Sequence, residues 1–178
     1  RPILKGCLLE ASEGKLYATA LDGYRMATSE CGIEGSTGSM KIVCPARTLT
    51  EISRMLEGGD KPLKICVAKN MLSVGVDDTV LTSRLYTGEF VNRNNIFPPA
   101  FSTELCASRA ELIESVERAS VLIRGDKNNL ILFDIKGGNI LITANSEIGN
   151  VSECVKAEMT GKELKTAMNG KFILDALK

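Results

Sequence analysis

Apolar residues recur along this chain at two spacings, and the wider spacing marks the first helix. Leu49, Ile52 and Met55 fall at helical spacing after Pro45, a residue that suits the first turn of a helix because its missing N–H needs no partner there. The glycine pair at 58–59 ends the pattern, since glycine is a poor helix former. The sequence therefore predicts a helix that starts at Pro45 and stops before Gly58.

Two further helices are predicted from their capping residues. Ser108 with Glu111 forms the S-x-x-E pattern of a capping box, and Asn169 is a suitable N-cap before the apolar residues of FILDAL. The three predicted helix starts lie roughly sixty residues apart, which indicates a repeated supersecondary unit.

Between the helices, apolar and polar residues alternate over short runs, as they do in half-buried strands. Turn residues separate these runs, and the Gly137-Gly138 pair marks a hairpin. The predicted strand regions are PILKGCLLE, KLYATAL, YRMATSE and MKIVC before the first helix, LKICVAKN, MLSVGVD and TVLTSRLYTG after it, and NLILFDIKG, NILITANS and VSECVKAEM after the second helix. The predicted fold class is α+β, with antiparallel sheets and repeated β-α-β-β-β units.

A break in composition separates two predicted domains. The segment FVNRNNIFPPAF, residues 90–101, contains asparagines and a Pro-Pro pair and has no apolar period, which is typical of a linker. We therefore predict one domain over residues 1–97 and a second over residues 98–178.

The segment ALDGYRMA, residues 20–27, predicts a hairpin with a chemically mixed outgoing arm. Asp22-Gly23 can supply the positive φ angles of a type I′ turn, after which Tyr24 and Met26 would share one face and Arg25 the other. In one interpretation Met26 is core, Tyr24 is half buried and Arg25 is solvated. In the other, these side chains form the rim of an apolar groove for a short peptide with Leu or Phe anchors.

The predicted helices carry basic residues away from their apolar stripes. Arg47 and Arg54 lie two turns apart on the first helix, Arg118 lies on the second and Lys171 on the third. One interpretation is a solvated face with ion pairs along each helix. The other is a set of contacts to the phosphates of DNA, which position a duplex without reading its bases.

Composition and charge narrow the classes of function. The 22 basic and 22 acidic side chains cancel, so charge alone does not indicate a nucleic-acid binder. Hydrophobic residues make up 44% of the chain but aromatic residues only 4%, which predicts an aliphatic core. No apolar run has the length of a membrane span and no signal peptide is visible, which favours a cytoplasmic protein that does not bind a membrane.

Catalytic and metal-binding residues are scarce. The chain has no histidine, its six cysteines form no C-x-x-C pair, and no G-x-x-x-x-G-K-[ST] phosphate loop occurs. We therefore expect no metal, no cofactor and no enzymatic activity, and we interpret most of the cysteines as small buried apolar residues in a reducing compartment. For a cysteine-dependent enzyme, Cys44 before the first helix would be the most defensible nucleophile.

A series of segments carries a resemblance to a known family. The segments are RPILKGCLLE with ALDGYRMA, VCPARTLTEISRMLEGGDKPL, LTSRLYTGEF followed by IFP, ANSEIG, and NGKFILDALK. In this order and at this spacing they resemble the middle and last domains of the bacterial sliding clamps, the β subunits of the DNA polymerase III holoenzyme. The resemblance covers nearly all of the chain.

The resemblance implies a DNA clamp fold and a non-catalytic function in DNA replication. Helices would line the inner face of a ring and sheets would form its outside, and two three-domain chains would close as a homodimer around double-stranded DNA. DNA polymerase subunits, the clamp loader and repair factors would dock short peptide motifs between the middle and last domains. Such a processivity factor implies no cofactor.

Matched to that family, residues 1–97 resemble a middle clamp domain without its first strand and helix. Residues 98–178 resemble the first part of the C-terminal clamp domain, up to its second helix. Because Arg1-Pro2 leads straight into an apolar run and the chain ends inside the helical pattern FILDALK, we expect a fragment that cannot close a ring by itself.

The resemblance also implies two sets of site residues. The peptide-binding pocket would contain Leu4, Leu21, Gly23, Tyr24, Arg25, Met26, Val91, Asn95 and Ile96. Arg47 and Arg54 would contact DNA from the inner face, and Arg118 and Lys171 join them by their positions on the other helices. The alternative is a β-rich peptide-binding interaction module that shares the hairpin pocket but is unrelated to DNA.

Overall fold

The computed structural model describes residues 2–35, 38–56, 62–92, 95–123, 129–147 and 149–178. The chain divides into two compact units, residues 1–97 (unit 1) and residues 98–178 (unit 2). Each unit has buried clusters of its own. Across the described ranges, the helices are too short or too polar to cross a bilayer.

Unit 1 begins with a four-stranded antiparallel sheet. A 3-10 helix, Pro2–Lys5, leads into β1 (Gly6–Ser12), β2 (Lys15–Leu21), β3 (Met26–Gly32) and β4 (Met40–Pro45), and the strand order is β3-β2-β1-β4. The prediction that the first strand region begins at Pro2 is wrong. Proline has no N–H for a strand ladder and its φ is fixed, so the chain makes a turn before β1 starts.

Helix α1 (Ala46–Met55) follows β4 and leads to a second sheet, in the order β5 (Lys64–Ala68), β6 (Met71–Val76) and β7 (Thr79–Arg84). Buried residues of the two sheets form one cluster, against which Leu49 and Ile52 of α1 pack. The predicted apolar stripe of α1 therefore faces the core. The predicted helix stop at Gly58-Gly59 lies outside the described residues.

Unit 2 places two helices against a five-stranded antiparallel sheet. Its elements are β8 (Thr103–Ala107), α2 (Arg109–Leu122), β9 (Leu130–Lys136), β10 (Asn139–Ser146), β11 (Gly149–Gly161), β12 (Leu164–Asn169) and α3 (Gly170–Leu177), and the strand order is β12-β9-β10-β11-β8. Val116 and Ala119 of α2 pack on Ile131 and Ile142 of the sheet. The first part of β11, residues 149–156, pairs with β10, and its last part, residues 157–161, pairs with β8.

The element order confirms the predicted repeat. Unit 1 contains β4-α1-β5-β6-β7 and unit 2 contains β8-α2-β9-β10-β11, so each has one strand, one helix and three further strands. A new repeat starts with β12 and α3. Since all strand pairings among the described residues are antiparallel, the fold class is α+β as predicted.

Local chemistry explains where two of the helices start. The Ser108 side chain accepts a hydrogen bond from the Glu111 N–H (3.4 Å), and Asn169 Oδ1 accepts from the N–H groups of Lys171 (3.0 Å) and Phe172 (3.3 Å). Both predicted N-caps are therefore confirmed. Pro45, in contrast, precedes α1 without a side-chain hydrogen bond.

Candidate functional site

The tip of the β2–β3 hairpin is a short loop fixed by one carboxylate. Leu21 pairs with Met26 across the hairpin, and Asp22–Arg25 join them. Oδ1 of Asp22 accepts hydrogen bonds from the backbone N–H groups of Tyr24 (3.0 Å) and Arg25 (3.1 Å), and Oδ2 accepts one from Nε of Arg25 (2.8 Å). The Asp22 N–H in turn donates to the Arg25 carbonyl (3.2 Å). The hydrogen bond from the Arg25 side chain, followed by that from the Tyr24 N–H, holds the pKa of Asp22 below its ordinary value.

The structure corrects the predicted turn type and the predicted place of Tyr24. Gly23 has a φ of +98°, whereas Asp22 and Tyr24 do not adopt positive φ. A type I′ turn needs positive φ at both central residues, so that prediction is wrong. Because β3 starts at Met26, Tyr24 and Arg25 lie in the loop rather than on the outgoing strand, and Tyr24 is 87% exposed rather than half buried.

Leu21 belongs to an apolar cluster that forms the floor beside the hairpin. The cluster contains Ile3, Leu8, Leu21, Val43, Tyr86 and Phe90. Gly6 allows this packing, since a Cβ there would lie 2.8 Å from Val43 Cγ1 and 2.9 Å from Cδ2 of Tyr86. Sequence reasoning missed Ile3 and Phe90. Each is a large apolar residue directly beside a predicted pocket residue, and that adjacency was the available signal.

The remaining predicted pocket residues lie at the two ends of unit 1. Leu4 is half buried in the 3-10 helix, and Val91, directly after Phe90, is 38% exposed. Ile96 is 47% exposed, and the Asn95 N–H donates to the Asn92 carbonyl (3.1 Å). The structure therefore pairs Leu21 with Met26 across the hairpin, and Leu21 packs against the cluster.

A separate cleft of about 620 Å³ lies in unit 1 between β4 and residues 85–92. Val43, Tyr86 and Phe90 contribute to its lining, so it shares part of the floor cluster. Within the described chain, none of the nine predicted pocket residues lines this cleft. The cleft is therefore a different surface from the hairpin site.

The basic residues of α1 lie on its exposed side, as the apolar stripe predicts. Arg47 and Arg54 are exposed, while Thr48 is buried with its hydroxyl oxygen 2.7 Å from that of Ser83. Nη1 of Arg54 donates to both carboxylate oxygens of Glu51, at 3.0 and 3.2 Å. Arg54 is thus partly neutralised on its own helix, and Arg47 is the more available cation of the pair.

Arg118 and Lys171 differ in how far their charge is compensated. Nε and Nη2 of Arg118 each donate to a carboxylate oxygen of Glu153 on β11, both at 2.9 Å. This two-bond contact lowers the pKa of Glu153 and ties the guanidinium to the sheet. Lys171 is exposed in the first turn of α3. Lys171 therefore fits the role of a phosphate contact better than Arg118 does.

The prediction that most of the cysteines are buried is wrong, because Cys31, Cys66, Cys106 and Cys154 are exposed. The structure also excludes Cys44 as a catalytic nucleophile. Cys44 is completely buried, and it lies opposite Cys7 in the β1–β4 ladder. Burial, with a smaller effect from the neighbouring Cys7, raises the pKa of its thiol to about 11, so almost no thiolate exists at neutral pH. Within the described ranges, no cluster of three or more Cys, Asp or Glu side chains is placed to hold a metal ion.

Comparison with protein families assigns both units. Residues 1–92 match the family model for the central domain of the DNA polymerase III beta subunit, and residues 94–178 match the model for its C-terminal domain. The two matches follow one another in the order of that family.

Individual relatives agree with this assignment. The chain is 30% identical to the beta sliding clamp of Bacillus subtilis and 31% identical to that of Halalkalibacterium halodurans. Each alignment covers 100% of this chain and 48% of the relative, so the chain spans about half the length of these curated relatives.

Solved structures show the same fold. The crystal structure of the Bacillus subtilis DNA polymerase sliding clamp superposes with a TM-score of 0.93 at 30% identity, and that of the Thermotoga maritima DNA polymerase III beta subunit with 0.93 at 26% identity. Both matches cover 99% of this chain and 48% of the other. With both units matched in family order and the fold superposed, the chain belongs to the family of bacterial sliding clamps, the β subunits of DNA polymerase III.

Proposed function

We propose that the protein acts as a processivity factor in DNA replication, without catalysis of its own and without a cofactor. In this function it holds polymerases on double-stranded DNA by topology and docks their short peptide motifs at the β2–β3 hairpin. The observation that carries the proposal is the match of both units, in order, to the central and C-terminal domains of the family. Such a factor acts on the chromosome in the cytoplasm.

The hairpin supports the peptide-docking part of the proposal. Tyr24 offers an exposed aromatic ring, Met26 is a half-buried and pliable apolar side chain, and Leu21 joins them to the floor cluster. An apolar anchor such as Leu or Phe gains ~1.5–3 kcal/mol when it is fully buried, so one or two anchors suffice for a transient complex. Polymerase subunits, the clamp loader and repair factors are the partners that this surface would serve.

The helices support the DNA part of the proposal. Arg47 and Lys171 are exposed and Arg54 and Arg118 are paired with carboxylates, so the basic surface is sparse. Sparse contacts suit a ring that must slide, because each strong phosphate contact would slow its movement. The balance of 22 basic and 22 acidic residues agrees with retention by topology rather than by charge.

An open sheet edge supports assembly into a ring. Residues 149–156 of β11 pair with β10 on one side, and β8 reaches only residues 157–161. Among the described strands, none covers the other side of residues 149–156, so their backbone groups are available for pairing with another chain. We assign this edge to the contact between the two subunits of a homodimeric ring.

Peptide binding by this chain tests the docking proposal. A short labelled peptide with adjacent Leu and Phe residues should bind, and Tyr24→Ala or Met26→Ala should raise its Kd about tenfold, since each removes on the order of 1.4 kcal/mol of apolar contact. Fluorescence anisotropy measures the Kd. Met71→Ala is the matched control, because Met71 is 37% exposed on the other sheet of unit 1. Equal effects of Met26→Ala and Met71→Ala would contradict the assignment.

The alternative is a β-rich peptide-binding module unrelated to DNA, and the carboxylate pairing of Arg54 and Arg118 is compatible with both functions. DNA retention separates the two functions. In the ring-forming protein, Arg47→Glu and Lys171→Glu should shorten the residence time on circular duplex DNA, whereas Lys64→Glu on strand β5 should not. If all three variants stay on DNA as long as the wild type, Arg47 and Lys171 do not contribute to DNA retention. That result would support the module interpretation over the clamp function.

A further inference from the structure

We propose that Asp22 is a positioning residue of the hairpin site, which fixes the loop and cancels the charge of Arg25, so that the site accepts uncharged apolar peptide segments without selecting for acidic ones. This inference rests on the proposed docking function and names the chemistry of its ligand. None of the nine residues assigned to the pocket is Asp22.

The first step is the geometry of the loop. Both carboxylate oxygens of Asp22 are used, one by the backbone N–H groups of Tyr24 and Arg25 and one by the Arg25 side chain. Three hydrogen bonds to the Asp22 carboxylate hold a loop that has a single residue, Gly23, in the left-handed region. Asp22 therefore holds the backbone of Tyr24 and both the backbone and the guanidinium of Arg25.

The second step is the charge at the site. Nε of Arg25 lies 2.8 Å from Oδ2 of Asp22, and the two side chains remain 42% and 46% exposed. A ligand that reaches Leu21 and Met26 thus meets a paired cation and anion with no net charge. At the far end of the same hairpin, Lys15 and Glu30 form another pair at 3.0 Å, so no excess of positive charge arises there either.

The third step is that the two effects of Asp22 can be separated by substitution. Asp22→Asn keeps a carbonyl oxygen at Oδ1, which can still accept from the Tyr24 and Arg25 N–H groups, but it removes the negative charge. Asp22→Ala removes both. Asp78→Asn is the matched control, because Asp78 lies in the β6–β7 turn of the other sheet and undergoes the same chemical change.

The experiment measures the Kd of two labelled peptides with the same Leu and Phe anchors, one with Asp and one with Asn beside them. Wild-type chain and Asp78→Asn should bind both peptides within about twofold of each other, as expected for a screened surface pair. Asp22→Asn should bind the acidic peptide about threefold more tightly than the neutral one at low salt, and this preference should vanish near 0.5 M salt, where the Debye length is only ~4 Å. Asp22→Ala should weaken the neutral peptide about fivefold, since the loop must then be ordered on binding.

Hydrogen exchange provides a reading that does not depend on any peptide. The amides of Tyr24 and Arg25 should exchange more slowly than that of Gly23 in the wild type and in Asp22→Asn, and all three should exchange alike in Asp22→Ala. Equal exchange of these amides in wild type and Asp22→Ala would overturn the positioning role.

The outcomes distinguish this inference from the proposed function. If Tyr24→Ala loses peptide binding but Asp22→Asn shows the same preference between the two peptides as the wild type, the inference is overturned and the docking function stands. A wild-type chain that already prefers the acidic peptide by tenfold also overturns it. A wild-type chain that binds neither peptide overturns the docking function and this inference together.

Discussion

Units 1 and 2 share one order of strands and helix but distribute their buried residues differently. In the described part of unit 2, ten buried residues form a single cluster between the helices and one face of the sheet. The residues described in unit 1 form two smaller clusters, of four and three buried residues, on opposite faces of the first sheet. The second of these lies under the hairpin site. The same order of strands and helix thus encloses one large core in unit 2, whereas in unit 1 it divides the buried residues between a core and the base of the proposed binding surface.

Truncation of the unit 2 core is the strongest way to test that contrast. Ile142 is completely buried in β10, so Ile142→Ala should lower the free energy of unfolding by about 2–5 kcal/mol, whereas Leu141→Ala, at the neighbouring half-buried position, should cost much less. Chemical denaturation measures the loss. Hydrogen exchange should accelerate in unit 2 only, and equal acceleration in unit 1 would show that the units do not have separate cores.

Two glycines test close packing in each unit. A Cβ at Gly170 would lie 2.7 Å from Ile131 Cδ1 and 2.8 Å from Ser120 Oγ, and one at Gly6 would lie 2.9 Å from the Cys44 carbonyl oxygen. Gly170→Ala and Gly6→Ala should therefore each cost about 1–3 kcal/mol through overpacking. At Gly32 no atom lies within 4 Å, so Gly32→Ala is the control. A Gly6→Ala variant as stable as the wild type would show that unit 1 has room for a Cβ at this position.

Loss of the N-cap of α3 should lower the free energy of unfolding by less than the packing substitutions do. Asn169→Ala should cost about 1 kcal/mol, because the N–H groups of Lys171 and Phe172 lose their acceptor. Asn169→Asp keeps the acceptor and should retain most of the stability. Thermal or urea unfolding measures both. An Asp variant as unstable as the Ala variant would mean that the cap acts through something other than Oδ1.

The Arg118–Glu153 pair should produce the smallest effect, visible in titration rather than in unfolding. Because the pKa of Glu153 is lowered in the folded state, the pair stabilises the fold at neutral pH. This contribution starts to be lost below pH 4.5, the ordinary pKa of a glutamate, and it vanishes as the pH falls through the folded-state pKa. In Arg118→Met the pKa of Glu153 should rise towards 4.5. NMR titration measures it, and an unchanged pKa would contradict the assigned cause.

Features that depend on neighbouring residues could be predicted from the sequence. The N-caps Ser108 and Asn169, the stripe of α1 and the Gly137-Gly138 hairpin all follow from local spacing and backbone chemistry. The hairpin at Asp22 could be predicted for the same reason, but its turn type could not. The Asp22 side chain competes for the N–H groups that a type I′ turn would use, and that competition has no periodic signature.

Features that depend on distant residues could not be predicted. Arg118 meets Glu153 and Leu21 meets Phe90 only because separate strands and loops fold together. Cys44 resembled a nucleophile because its place before a helix is visible in the sequence, while its complete burial is not. The peptide and DNA contacts themselves stay predictions, which the variants above test.

The length of β11 determines how unit 2 responds to a mechanical pull. β8, the first strand of the unit, pairs with β11 at residues 103–107, and among the described strands it pairs with no other. Tension applied at the start of unit 2 would have to slide these five pairs past one another at once before it reached the helices. Because β11 is a continuous strand of thirteen residues, separation of β8 from residues 157–161 need not break the pairing of residues 149–156 with β10.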